Sequence, residues 1–96
     1  MKYSKELIKE VKDVVSDNIE ILLTDEQAIE CIDEVHDVIK FGANDTECRG
    51  ELCNFIGKKI TGKKCPTYGD GDVYAANYYK ELSELALSKG YIVQVD

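Results

Sequence analysis

The residues of this 96-residue chain best placed to do chemistry are carboxylates arranged in two stripes. Glu6, Glu10, Asp13, Asp17 and Glu20 succeed one another at intervals of 4, 3, 4 and 3, and Glu26, Glu30, Asp33 and Asp37 at 4, 3 and 4. On a helix such residues share one face, with Cβ atoms about 5–6 Å apart. The interval from Asp13 to Asp37 holds nine carboxylates and no Lys or Arg. Two such helices side by side would present rows of negative charge that resemble a phosphate track. That surface could occupy the basic groove of a nucleic-acid-handling protein, with electrostatic steering and a loss of affinity in salt. A solvated face that keeps a small protein dispersed is the simpler use of a charge run. The solvated face is the first reading; like charges at this spacing repel by a few tenths of a kcal/mol per pair, and a merely soluble face would more often interleave Lys, which gives the binding role its weight as the alternative. The partner-binding candidates are therefore Asp13, Asp17, Glu20, Glu26, Glu30, Asp33 and Asp37.

A second group is the run from Gly57 to Lys64, which matches the spacing of a phosphate-binding loop. Lys64 replaces the Ser or Thr that would hold magnesium, Cys65-Pro66 cannot open a helix at once, and the chain is too short for a nucleotide-binding sheet. A basic loop remains, and Lys58, Lys59, Lys63 and Lys64, with Tyr68 and Tyr74 nearby, are candidates for closing over a phosphate-bearing ligand or nucleotide. Tyr74, Tyr78 and Tyr79 otherwise read as packing residues, although one helix cannot bury all of them, and Tyr68 and Tyr74 would suit an interface.

His36, Cys48, Cys53 and Cys65 are a Cys3His set by type, but zinc modules normally bring Cys in pairs two to four residues apart. Cys48 and Cys53 are five apart, about 140° apart around a helix and roughly 8 Å apart at Cα, which opposes shared metal and disulfide alike. No metal or cofactor is expected. Cys31 and Cys48 read as core residues, Cys65 as a loop thiol and His36 as the edge of an apolar stripe. With one His and no nucleophile, base and orienting partner in evident register, catalysis is not expected. Asp70-Gly71-Asp72 reads as a turn and cap rather than a calcium loop.

The elements that must carry these residues are mostly helices. Thr24 with Gln27 forms a capping box, Lys40 and Gly42 mark the other end, and Ala28, Ile32, Val35 and Ile39 repeat at helical spacing between them. Before it, Tyr3 to Leu23 reads as one helix with Leu7, Ile8, Val11, Val14, Val15, Ile19 and Leu22 inward. The alternative breaks it near Ser16 or Asp17 and makes Ile19 to Leu23 a strand; the charge spacing favours the helix. A third helix spans about Glu47 to Ile60, weakened by Gly50 and Gly57. A fourth, capped by Asp72 or Asp70, spans about Val73 to Lys89 with Ala75, Tyr79, Leu82 and Ala86 inward. Tyr91 to Val95 reads as a strand. Its partner is either Ile19 to Leu23 or the same strand in a second subunit, which would make a homodimer.

The expected architecture is a mostly α, single-domain four-helix arrangement with a short C-terminal strand. Nineteen acidic against twelve basic side chains oppose direct binding to nucleic acid, and residues 1–47 hold 13 acidic and 5 basic side chains. No apolar run approaches the roughly 20 residues of a membrane span, and MKYSKELIKEVK does not read as a signal peptide, so a cytoplasmic setting with reduced thiols is expected. A helix-turn-helix reading of Cys48 to Ile60 suffers from Glu47, Glu51 and the net charge. The favoured function is a small intracellular binding module or inhibitor of a basic, nucleic-acid-handling protein, analogous in size and charge to phage or mobile-element inhibitors. The alternative is the ligand binder built on the lysine loop.

Overall fold

The computed structural model describes residues 2–40 and 42–94. Its elements are α1 (Lys5–Ile19), β1 (Ile21–Leu22), α2 (Asp25–Glu34), α3 (His36–Ile39), α4 (Thr46–Thr61), a 3-10 turn (Tyr68–Asp70), α5 (Asp72–Ser88) and β2 (Ile92–Val93). The protein is thus mostly α with a short two-stranded antiparallel sheet. None of the described helices is long and apolar enough to cross a membrane.

Helix starts follow local chemistry. Ser4 accepts the Leu7 N–H at 3.1 Å, and the Thr24–Gln27 box closes in both directions at 2.9 and 3.2 Å. Asp45 accepts the Glu47 N–H at 3.2 Å, and Gly62 ends α4 in the left-handed region at φ 81°. These groups satisfy donors and acceptors that a helix end leaves without partners. At α5 the cap differs from expectation. Gly71 holds the N-cap position without a side-chain bond, Asp72 lies in the first turn, and Asp70 instead accepts the Thr67 N–H at 2.6 Å.

The long first helix is corrected. α1 stops at Ile19, and Glu20 turns the chain in a left-handed conformation at φ 61° while its N–H bonds Ser16 O at 3.0 Å. Ile21 then pairs with Val93 and Leu22 with Ile92, and Gln94 N–H donates to Glu20 O at 2.8 Å. Ile21 and Leu23 point inward at 1% and 6% exposure while Leu22 is 40% exposed, the period of two that belongs to a strand. Pairing within the chain supplies what the C-terminal strand needs, so a lone strand no longer argues for a dimer. Val95 lies outside the described residues.

The second predicted helix is also divided. Val35, at φ −111° and ψ 20°, interrupts it, and only the single turn of α3 follows. Gly42, at φ 101°, has the left-handed backbone its position requires. The core is built around α4, which packs against α1, α2, α3 and α5. Burial on several sides explains why Cys48 and Cys53, on different faces, are both inside with Leu52, Ile56 and Ile60. In α5 Leu82 and Ala86 point inward as expected, but Tyr78, which the pattern put at the edge, is buried with them, while Tyr79 is 38% exposed and Ala75 only half-buried. Tyr78 is drawn in by Gly57, whose missing side chain leaves space for the Tyr78 hydroxyl and Cys65 Sγ.

Candidate functional site

The outer face of α1 is divided lengthwise. Lys5, Lys9 and Lys12 line a groove with Asp25 at the start of α2, and Lys12 pairs with Asp25. Glu10 faces α4: burial raises the affinity of the Cys48 thiol for its proton, and Asp45, Glu10, Glu51 and Glu47 add to the effect. Glu10 lies on the helix that packs against α4, where Glu47 and Glu51 of the first turns and the N-cap Asp45 are neighbours of Cys48 in the chain. Glu10, Glu47 and Glu51 make no ion pair among the described residues, nor do Glu6 and Asp17 along α1.

The carboxylates singled out in the sequence are distributed differently. Asp13 pairs with Lys9 at 2.9 Å, and Glu30 pairs with Lys59 of α4. Asp33 holds Lys2 at 2.7 Å and accepts the Tyr3 hydroxyl, and these two bonds keep its carboxyl below the ordinary carboxylate range. Asp37 lies 3.1 Å from His36 Nε2. Asp17, Glu20 and Glu26 are exposed and make no ion pair among the described residues. Lysines distant in sequence thus pair two carboxylates of the α2 stripe, Glu30 and Asp33, whereas the α1 stripe has one pair, Asp13 with Lys9, and lies on the helix that packs against α4. Exposed pairs of this kind are worth about 0–1 kcal/mol, so a partner's own cations can displace them. Glu47 and Glu51, four apart on a helix, were visible as a charged pair, but only the packing of α4 on α1 joins them to Glu10.

The lysine loop divides as well. Lys58, Lys59 and Lys64 line an open groove of about 630 Å³ beside Asn54 and Phe55. Lys63 turns away to Glu81 of α5 at 3.5 Å. Tyr74 stacks on Tyr78 with ring centroids 6.3 Å apart and is not among the groove's lining residues. The side chain of Tyr68 lies outside the described residues.

All four cysteines are free and buried. Cys65 lies in the loop after α4, as expected, but it is buried there: its N–H bonds Asn54 Oδ1 at 3.0 Å and its Sγ donates to Cys53 O at 3.2 Å. Burial pushes Cys31 and Cys53 up to about 12 from the ordinary value of 9.0, and raises Cys48 and Cys65 as well. A raised thiol stabilises the fold fully below its unfolded value and loses that contribution as pH climbs towards the folded one. Thermal melts should therefore give a Tm insensitive to these thiols below about pH 9 and falling from there towards about pH 12. A Tm level across that window would contradict the burial assigned to Cys31 and Cys53. Among the described residues no three His, Cys, Asp or Glu side chains are grouped to hold a metal ion.

No protein-family model matches the chain, and no curated protein or solved structure matches it significantly. The functional reading rests on this geometry.

Proposed function

We propose that the protein is a binding module rather than a catalyst, and that it presents an acidic surface on α1 and the first half of α4 to a basic partner protein. The carrying observation is the packing of α1 on α4, which sets the exposed Glu10 beside the helix that carries the exposed Glu47 and Glu51, with no ion pair to relieve any of the three among the described residues. Their mutual repulsion makes a cationic surface the natural complement, and opposite fields speed encounter while like fields turn nucleic acid away. The particular partner proposed is a nucleic-acid-binding protein whose phosphate-facing groove the carboxylates would occupy, in a reducing cytoplasm. Asp17 and Glu20 extend the surface along the chain.

The test is an affinity pull-down from native lysate at low and high salt, comparing wild type with two charge reversals. Glu10→Lys with Glu47→Lys and Glu51→Lys should abolish recovery of a basic protein that high salt also sheds. Glu30→Lys with Asp33→Lys and Asp37→Lys should reduce it less, because Glu30 and Asp33 are already paired with Lys59 and Lys2. Equal recovery by all three proteins would overturn the proposal, and loss confined to the second variant would move the surface to α2.

A further inference from the structure

The groove beside α4 carries a second reading, which shares only Glu51 with the acidic surface. In a chain with nineteen carboxylates and twelve cations, lysines are expected to be neutralised. Lys2, Lys9, Lys12, Lys59 and Lys63 are, by Asp33, Asp13, Asp25, Glu30 and Glu81. Lys58 and Lys64, like Lys5, Lys80 and Lys89, make no ion pair among the described residues; what sets these two apart is that they line one groove, together with Glu34 and Glu51. Lys64 reaches Asp70 only as a longer-range attraction. Two ammonium groups therefore stand at one groove without a neutralising contact.

Asn54 adds directed donors. A backbone N–H can only donate, so the bond from Cys65 N fixes Asn54 Oδ1 as the acceptor and leaves its amide nitrogen with no partner among the described residues, on a residue that lines this groove and a neighbouring one beside Cys65. The surrounding walls are held in place. Lys59 is tied to Glu30 and lies over the Phe55 ring, 5.7 Å from its centroid, while Val35 and Phe55 supply the apolar surface. A volume of about 630 Å³ is in the range of small-molecule sites.

We propose that this groove binds a small phosphomonoester with an aromatic body, its phosphate held by Lys58, Lys64 and the Asn54 amide and its ring lying beside the half-buried Phe55. Two positive charges with several unused donors suit a dianion with three terminal oxygens better than a carboxylate with two oxygens and one charge. Glu34 and Glu51, lining the same groove, repel any additional phosphate, which favours a single charged end and disfavours a nucleic-acid strand. The same carboxylates can accept bonds from hydroxyl or amino groups on the ligand.

Adenosine monophosphate and phenyl phosphate are the probes, titrated into the full chain by calorimetry and by amide and side-chain NMR, with adenosine and inorganic phosphate alongside. Both probes should shift the Asn54 side-chain amide and bind more tightly than either inorganic phosphate or adenosine. Lys58→Ala and Lys64→Ala should each weaken binding by about tenfold or more, the loss of one charge-assisted contact, with melting temperature little changed. Lys63→Ala is the internal control and should bind like wild type, because Lys63 faces Glu81. An unmoved Asn54 amide with both probes overturns the proposal. Equal weakening by Lys63→Ala would do the same by reducing the effect to overall charge, and equal affinity for inorganic phosphate would remove the aromatic body from it.

Discussion

Gly57→Ala should destabilise the protein by about 1–3 kcal/mol, although alanine is the better helix former. A Cβ built at residue 57 would stand 2.8 Å from Cys65 Sγ, with the Tyr78 hydroxyl closer still. That hydroxyl cannot simply withdraw, since it donates to Lys63 O at 2.9 Å and lies within reach of Thr61 Oγ1. Overpacking therefore outweighs the gain of about 1 kcal/mol that removing a helical glycine normally brings. Gly50, in the same helix, is the contrasting site: nothing lies within 4 Å of a Cβ there, so Gly50→Ala should stabilise by about 1 kcal/mol. Tyr78→Phe alone should cost about 1 kcal/mol through the abandoned Lys63 carbonyl. Combined with Gly57→Ala it should cost less than the sum of the two, because the clashing oxygen is gone. Urea denaturation of the four variants measures all of this. Stabilisation by Gly57→Ala would mean that the Tyr78 hydroxyl does not occupy the space beside α4.

The same contact explains part of what sequence could and could not disclose. Helix ends were legible wherever the deciding atoms are within four residues, as in the Thr24–Gln27 box and the left-handed glycines after α3 and α4. Tyr78 against Tyr79 was not, because both fit the apolar period of α5 and the choice is made by a niche at Gly57, on another helix. Charge followed the same rule. The carboxylate stripes could be counted along the chain, yet Lys2 reaching Asp33 and Lys59 reaching Glu30 are meetings of distant segments, as is the gathering of Glu10 with Glu47 and Glu51. The lysine run offered four cations at one address, and only the fold separated Lys58 and Lys64 from Lys63.

Ile19 to Leu23 is the segment where local rules pointed the wrong way, and it furnishes the sharpest stability test. A continuous helix would place Leu22 inward with Ile19, so Leu22→Ala would be the damaging substitution. In the structure Ile21 is 1% exposed opposite Val93, whereas Leu22 is 40% exposed opposite Ile92. Ile21→Ala should cost about 2–5 kcal/mol, the range for emptying a buried aliphatic site, and Leu22→Ala within about 0.5 kcal/mol of zero. The loss at Ile21 should extend along the ladder, because the bond from Gln94 N–H to Glu20 O depends on the two strands staying together. Hydrogen exchange would then report faster opening of the Gln94 amide in Ile21→Ala and an unchanged rate in Leu22→Ala. The reverse order of effects would restore the helix, leaving β2 unpaired within the chain and in need of a strand from a second subunit.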